Sequence, residues 1–156
     1  MTRSVEGEEA EALSRAAVAV FRLNRRFTSA LDRTALPCGL SAARWQILST
    51  VADGPLSVSE VARRVGATRQ SVQRIADLLV REGLAGYQDN PAHRRAKLLI
   101  ATDEGVTARC AMDSSLAELA RRLSESLGGG SEVHRTVAVL RVLSGALTSL
   151  SADDSL

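Results

Sequence analysis

Two short helices, each with its ends marked by its own residues, lie back to back between Ser57 and Gly83 and constrain this chain more than any other feature. Ser57-Val58-Ser59-Glu60 is a capping box, in which the first Ser takes a free amide three residues on and Glu60 reaches back to the start. The helix it opens turns Val58, Val61, Ala62 and Val65 inward and stops at Gly66. Thr68 caps a second helix, Arg69 to Glu82, with Val72, Ile75, Leu78 and Leu79 inward, and Gly83 ends it. Two amphipathic helices joined by so short a turn cannot lie parallel. They pack across each other, and the second must present its polar N-terminal turns outward.

After Gly83 the helical period gives way to short extended runs. Leu84–Gln88 and Ala96–Ile100 flank Asp89-Asn90-Pro91-Ala92-His93-Arg94-Arg95, which predicts a hairpin with a basic tip. Helices are expected on either side of this unit. Leu13, Ala16, Ala17, Val20, Phe21, Phe27 and Leu31 step by three and four, and Ser41 caps a helix carrying Trp45, Leu48 and Val51. Thr102-Asp103-Glu104 starts another, acidic at the positive end of its dipole, which runs through Val106, Cys110, Leu116 and Leu119 to about Leu127. Gly128-Gly129-Gly130 breaks it before a last helix bearing Val133, Val137, Leu140, Leu147 and Leu150.

The expected architecture is therefore mainly α with a small β-wing. A loose tail spans 1–8, an N-terminal helix 9–36, a winged helix-turn-helix domain 40–101, C-terminal helices 102–150 and a second tail 151–156. The outer helices make too narrow a pair to bury both their apolar faces within one protomer, which favours a partner. With 156 residues and 45% apolar side chains, the composition is that of a folded globular chain. It contains no apolar run long enough for a membrane span and no secretory leader pattern, so the cytoplasm is the expected location. Cys38, Cys110, His93 and His134 have neither zinc-ligand spacing nor a nucleophile-base arrangement, which argues against a metal, a cofactor and catalysis.

Charge sharpens the reading. The net charge is only +2, yet residues 63–97 carry eight basic side chains against three acidic ones. A basic centre between acidic ends suits a polyanion. On the second helix Arg69, Gln70, Ser71, Gln73 and Arg74 are groups that hydrogen-bond base edges or phosphates, with Ser57 and Thr68 at the helix starts nearby. Arg94, Arg95 and Lys97 at the hairpin suit phosphates or the minor groove. The bland alternative is that both elements are solvated surface. Their occurrence together, both basic and at this spacing, favours double-stranded DNA.

From Leu40 to Gly105 the chain resembles the MarR family of bacterial transcription regulators. The similar stretches are Leu40–Leu48, Ser57–Gly66, Val72–Leu84, Asn90–Leu98 and Thr102–Gly105. The resemblance implies a homodimer held by the N- and C-terminal helices and a near-palindromic operator. It also implies a repressor released by a small aromatic or anionic effector. Gln70, Ser71 and Arg74 fall on the recognition helix, and Arg95 on the wing arginine that enters the minor groove. Two positions depart from the pattern: His93 stands where an Asp is usual, and Ala101 where a Leu is usual. The effector cleft would be bordered by the first, second and fifth helices, where Phe21, Arg44 and Trp45 either reach it or are ordinary core and surface residues. Two alternatives remain: a winged-helix protein-interaction module without DNA binding, and a redox-sensing regulator using Cys38 or Cys110. Cys110 is expected on the inward stripe of its helix as a small apolar filler.

Overall fold

The computed structural model describes residues 2–93 and 96–153. Six helices and three strands follow one another as α1 (Thr2–Ala35), α2 (Ala42–Thr50), β1 (Leu56–Ser57), α3 (Val58–Val65), α4 (Arg69–Arg81), β2 (Ala85–Gln88), β3 (Leu98–Ala101), α5 (Asp103–Leu127) and α6 (Gly130–Asp153), with a 3₁₀ turn at Leu36–Cys38. The chain divides into two compact units, residues 1–115 and 116–156. Among the described residues no helix is long and apolar enough to cross a membrane.

The first unit holds every buried apolar side chain of the described residues, from Ala35 and Leu40 through Ile47, Leu48, Val61, Val72, Ala76, Leu79 and Leu99 to Met112. Local signals set its helix ends. Ser41 accepts from the Arg44 amide at 3.4 Å, and Asp32 of α1 reaches across to accept from the Ala42 amide at 2.8 Å. The capping box forms in full: Ser57 Oγ accepts from the Glu60 amide at 3.3 Å while Glu60 Oε2 accepts from the Ser57 amide at 2.9 Å. Gly66 turns the chain out of α3 at φ +67°, a left-handed conformation that glycine adopts without penalty. Thr68 then caps α4 by accepting from the Ser71 amide at 3.2 Å.

The wing is a three-stranded antiparallel sheet in the order β1-β3-β2. Leu56 pairs with Leu99, and Tyr87 pairs with Leu99 from the other side. Only the two hairpin strands are expected from the sequence, because β1 is two residues long and carries no periodicity of its own. At the tip Asn90 folds the turn on itself, its side chain accepting from the Ala92 amide and its carbonyl from the His93 amide.

In the second unit, the end of α5 and the whole of α6 are separated by Gly128 and Gly129, at φ +90° and +123°. Several of its apolar side chains, among them Leu123, Val139 and Val142, are exposed.

Three expectations are corrected. Residues 2–8 continue α1 rather than forming a loose tail, and 151–153 continue α6. The runs beside these boundaries, Glu6-Gly7-Glu8-Glu9-Ala10 and Leu147–Ala152, contain no proline, so neither holds a residue that must end a helix. The helix holding Trp45 ends at Thr50, three residues early, with Val51 as its cap. On α5 the inward line is Gly105 and Met112, so Val106 and Cys110 are exposed. Cys110 lies about 140–160° around the helix from both buried positions.

Gly105 is the most closely packed glycine among the described residues. A Cβ there would overlap the carbonyl oxygen of Leu84, which also accepts from the Thr102 amide at 3.2 Å. Thr102 completes the junction by donating to the Gly83 carbonyl at 2.6 Å and accepting from the Gly105 amide at 3.1 Å. Alanine at 105 would gain ~1 kcal/mol of helix propensity against an overpacking cost of about 3 kcal/mol. Gly105→Ala is therefore expected to lower stability by about 2 kcal/mol in denaturant unfolding. The control is Gly145→Ala on α6, where a Cβ meets nothing within 4 Å. That variant should be neutral or slightly stabilising, and equal effects at the two sites would refute the packing account.

The capping box makes a second prediction. The Ser57 hydroxyl, then the Ser57 amide, and then Arg63 and Arg64 hold the Glu60 carboxyl below its ordinary value of 4.5. A depressed folded-state pKa contributes stability above pH 4.5 that is lost as pH falls through the lower folded value. Glu60→Gln should thus flatten the stability-pH curve below pH 4.5 relative to the parent chain. Parallel curves for the two proteins would show that the box does not report on folding.

Candidate nucleic-acid interface

Helix α4 is anchored by Val72, Ala76 and Leu79, all buried and spaced so as to share one face. The opposite face of its first two turns then has to be exposed, and Arg69, Gln70, Ser71 and Arg74 are. With Thr68, Gln73 and Asp77 they line one open groove along the helix. A second groove, between α4 and the wing, is lined by Ser57, Val58, Ser59, Arg69, Gln73, Tyr87, Ala96 and Lys97. The residues expected to meet DNA are thus gathered in two adjoining grooves, with Arg69 and Gln73 shared between them. Arg94 and Arg95, expected at the hairpin tip, lie outside the described residues.

Hydrogen bonding sorts the hydroxyls. The one hydrogen of Ser57 Oγ is engaged by Glu60 Oε2 at 2.6 Å, so Ser57 serves the helix start and cannot donate to a phosphate in this arrangement. Thr68 accepts within its cap and keeps its hydrogen to give, beside the free amides of a helix N-terminus, a place that favours anionic oxygen.

Ion pairs engage some of the cations and leave others, on α1 and α6 as well as near the grooves. Among the described residues, every arginine in an ion pair except Arg44 is on α1, α5 or α6: Arg15 with Glu11, Arg109 with Asp113, Arg121 with Glu118 and Glu125, and Arg135 with Glu132. Arg63, Arg64, Arg69 and Arg74 are exposed and form none. Such unpaired guanidiniums are the form of positive charge that phosphates recruit at least cost, since no carboxylate has to be displaced first.

Two polar ties that single-residue reading misses connect α4 to its neighbours. Arg44 of α2 donates to the Gly39 carbonyl at 3.1 Å and to Glu82 Oε1 at 2.9 Å, just past the end of α4. On the middle turns, Gln73, Asp77 and Tyr87 of β2 form a closed triangle with sides of 2.8, 2.8 and 2.9 Å. The i, i+4 spacing of Gln73 and Asp77 was the available signal, while the place of Tyr87 depends on strand pairing. Burial, then the Asp77 hydrogen bond and charge, pushes the Tyr87 hydroxyl up to about 12, so it stays protonated at neutral pH.

The three residues expected at an effector cleft are not gathered by any contact of their polar groups. Arg44 is engaged by Glu82 and Gly39, and the Trp45 indole donates to Asp113 at 3.1 Å. Phe21 stands 76% exposed on α1. Cys38 is half-buried with its sulfur 4.0 Å from the Ser115 hydroxyl, whereas Cys110 is exposed and accepts from Arg109 at 3.5 Å. Among the described residues no group of three or more His, Cys, Asp or Glu side chains is placed to hold a metal ion.

Comparison with known proteins agrees with this architecture. A model of the MarR family matches residues 39–96, which include α2 to α4 and β2. The uncharacterized protein Rv2011c of Mycobacterium tuberculosis is 43% identical over 89 residues, or 57% of this chain and 62% of that protein, so the match spans less than two thirds of the relative's length. A crystal structure of a MarR-family transcription regulator is 25% identical, covers 94% of both chains and superposes with a TM-score of 0.70. The M. tuberculosis transcriptional regulator MosR, solved in complex with DNA, is 25% identical over 85% of this chain and 97% of its own, with a TM-score of 0.70. A mutant MarR from E. coli, 18% identical over 85% and 95% of the two chains, shares the fold at a TM-score of 0.77. The winged segment, residues 39–96, thus matches the model of the MarR family, and the helices and sheet are laid out as in a solved MarR-family transcription regulator.

Proposed function

We propose that this protein is a homodimeric, sequence-specific DNA-binding transcriptional regulator, a repressor that a small aromatic or anionic molecule releases from a near-palindromic operator. The observation that carries the reading is α4, whose exposed Arg69, Gln70, Ser71 and Arg74 stand opposite a fully anchored face. In this reading α4 enters the major groove, where Gln70, Ser71, Gln73 and Arg74 meet base edges. Thr68, Arg69 and Lys97 hold phosphates, and Arg94 and Arg95 extend the wing to the backbone and minor groove. MosR, a transcriptional regulator solved with DNA, supports the assignment by likeness. A protein-interaction module would have no use for unpaired arginines along two adjoining grooves.

The dimer is supported by apolar surface on the terminal helices. Phe21 and Leu13 on α1 and Val139 and Val142 on α6 are each at least 60% exposed, and a second copy would cover such faces. Release by a small molecule rests on the family pattern rather than on Arg44, whose guanidinium is already engaged by Glu82.

Anisotropy titrations of the full chain with the DNA upstream of its own gene test the reading, with sedimentation giving the mass of the bound species. Affinity should fall steeply with salt, as several cations on each of two protomers displace counterions. Gln70→Ala or Ser71→Ala should relax base preference by about 1–3 kcal/mol per good contact. Arg95→Ala should weaken all sequences and shallow the salt slope. A monomer in the complex, or an unchanged slope in Arg95→Ala, would refute the corresponding part.

A second reading, a thiol switch, is favoured by the exposed Cys110 sulfur beside Arg109. Operator release is to be compared in the parent and in a Cys38→Ser, Cys110→Ser double variant, with peroxide and with aromatic acids. The expected result is ligand response in both and no peroxide response in the parent. Peroxide release that vanishes in the double variant would establish the thiol switch instead.

A further inference from the structure

Gln73 faces two partners that are bonded to each other. Its Nε2 donates to Asp77 Oδ1 at 2.8 Å and to the Tyr87 hydroxyl at 2.8 Å, and that hydroxyl donates to the same Asp77 oxygen at 2.9 Å. Chemistry fixes the direction of each bond. A carboxylate oxygen only accepts, and a phenol has one hydrogen, here engaged by Asp77. Both atoms facing Gln73 are therefore acceptors. The amide has to offer them its NH₂ group, because the opposite orientation would set its carbonyl against two acceptors. Both amide hydrogens are then in use. What remains is Oε1, to which no hydrogen bond is made among the described residues. Gln73 is also a residue that both grooves beside α4 share.

We infer that Gln73 reads its base as a hydrogen-bond acceptor only and so selects a base bearing an exocyclic amine in the major groove, cytosine or adenine. Asp77 and Tyr87 act as positioning residues that set this polarity. The inference rests on the DNA-binding reading above and adds the polarity of one contact. An unrestrained glutamine binds adenine with both ends of its amide, accepting from N6 and donating to N7. Here the N7 contact is lost because the hydrogens are engaged inside the protein. Guanine and thymine are rejected, since their O6 and O4 would face Oε1 as acceptor against acceptor.

The test is selection of sites from a random double-stranded DNA pool by the full chain and by Gln73→Ala. The base read by Gln73 is the one whose preference disappears in the variant. Cytosine or adenine is expected there. Replacing it by an analogue without the amine, 2-pyrimidinone for cytosine or unsubstituted purine for adenine, should weaken the parent protein about tenfold and leave Gln73→Ala unaffected. If the base is adenine, 7-deazaadenine should cost nothing. Asp77→Asn, whose side chain can itself donate, should admit guanine or thymine at that one position while other positions keep their preference. Guanine or thymine selected by the parent, an equal loss with 7-deazaadenine, or no change of preference in Gln73→Ala would overturn the inference. A pool in which the full chain enriches nothing would overturn the DNA-binding reading itself, whereas enrichment with the wrong base at this position overturns only the polarity.

Discussion

Everything proposed for this protein depends on how one helix is rotated about its own axis. Val72, Ala76 and Leu79 of α4 are buried together, and burying a Val or Leu side chain stabilises by roughly 1.5–3 kcal/mol. A quarter-turn of α4 would expose this face and drive charged groups inward, at a cost of several kcal/mol. The rotation is therefore set by apolar packing, and the outward direction of Gln70, Ser71 and Arg74 is its consequence. Position 72 is the only apolar residue among Arg69 to Arg74, which leaves the remaining side chains of those turns for the grooves.

The polar ties act on a smaller energy scale and do a different job. The pair of Arg44 with Glu82 is partly solvated, and such pairs contribute about 0–1 kcal/mol. The hydrogen bonds of Gln73, Asp77 and Tyr87 are each worth about 1 kcal/mol net. Neither set could hold α4 against its apolar face. What they can do is pin one rotamer and one amide orientation among several of similar energy. In the proposed reading, affinity and specificity would thus draw on separate features of the helix: unpaired arginines for the first, tied polar groups for the second.

The legible part of this fold was the part written in neighbouring residues. The capping box at Ser57-Glu60, the cap at Thr68 and the turn at Gly66 are local, and the structure forms each one. The groove residues Thr68, Arg69, Gln70, Ser71, Gln73 and Arg74 followed from them, because a capped amphipathic helix has one possible exposed face. Features built by distant residues were not legible. Tyr87 reaches Gln73 only because β2 pairs with β3 in a particular register, and β1 exists only because β3 offers it an edge. Cys110 misled for a related reason. A stripe of Val106, Cys110 and leucines steps like a core face, but the contact that orients α5 is the glycine at 105, which has no side chain for a hydrophobic pattern to register.

That glycine also joins the wing to the helix that follows it. The Leu84 carbonyl, where β2 begins, accepts from Thr102 and lies against Gly105, while Thr102 bonds back to Gly83 at the end of α4. Three elements therefore meet within a few residues, through backbone atoms and the short Thr102 side chain. Backbone contacts of this kind transmit displacement with little loss, because close-packed atoms have nowhere to yield. A shift at the start of α5 is expected to reach the end of α4 and the base of the wing together, moving both elements proposed to face DNA as one. In the proposed reading, small movements at the start of α5 would then change the presentation of a whole half-site, without any contact between an effector and the residues proposed to read the DNA.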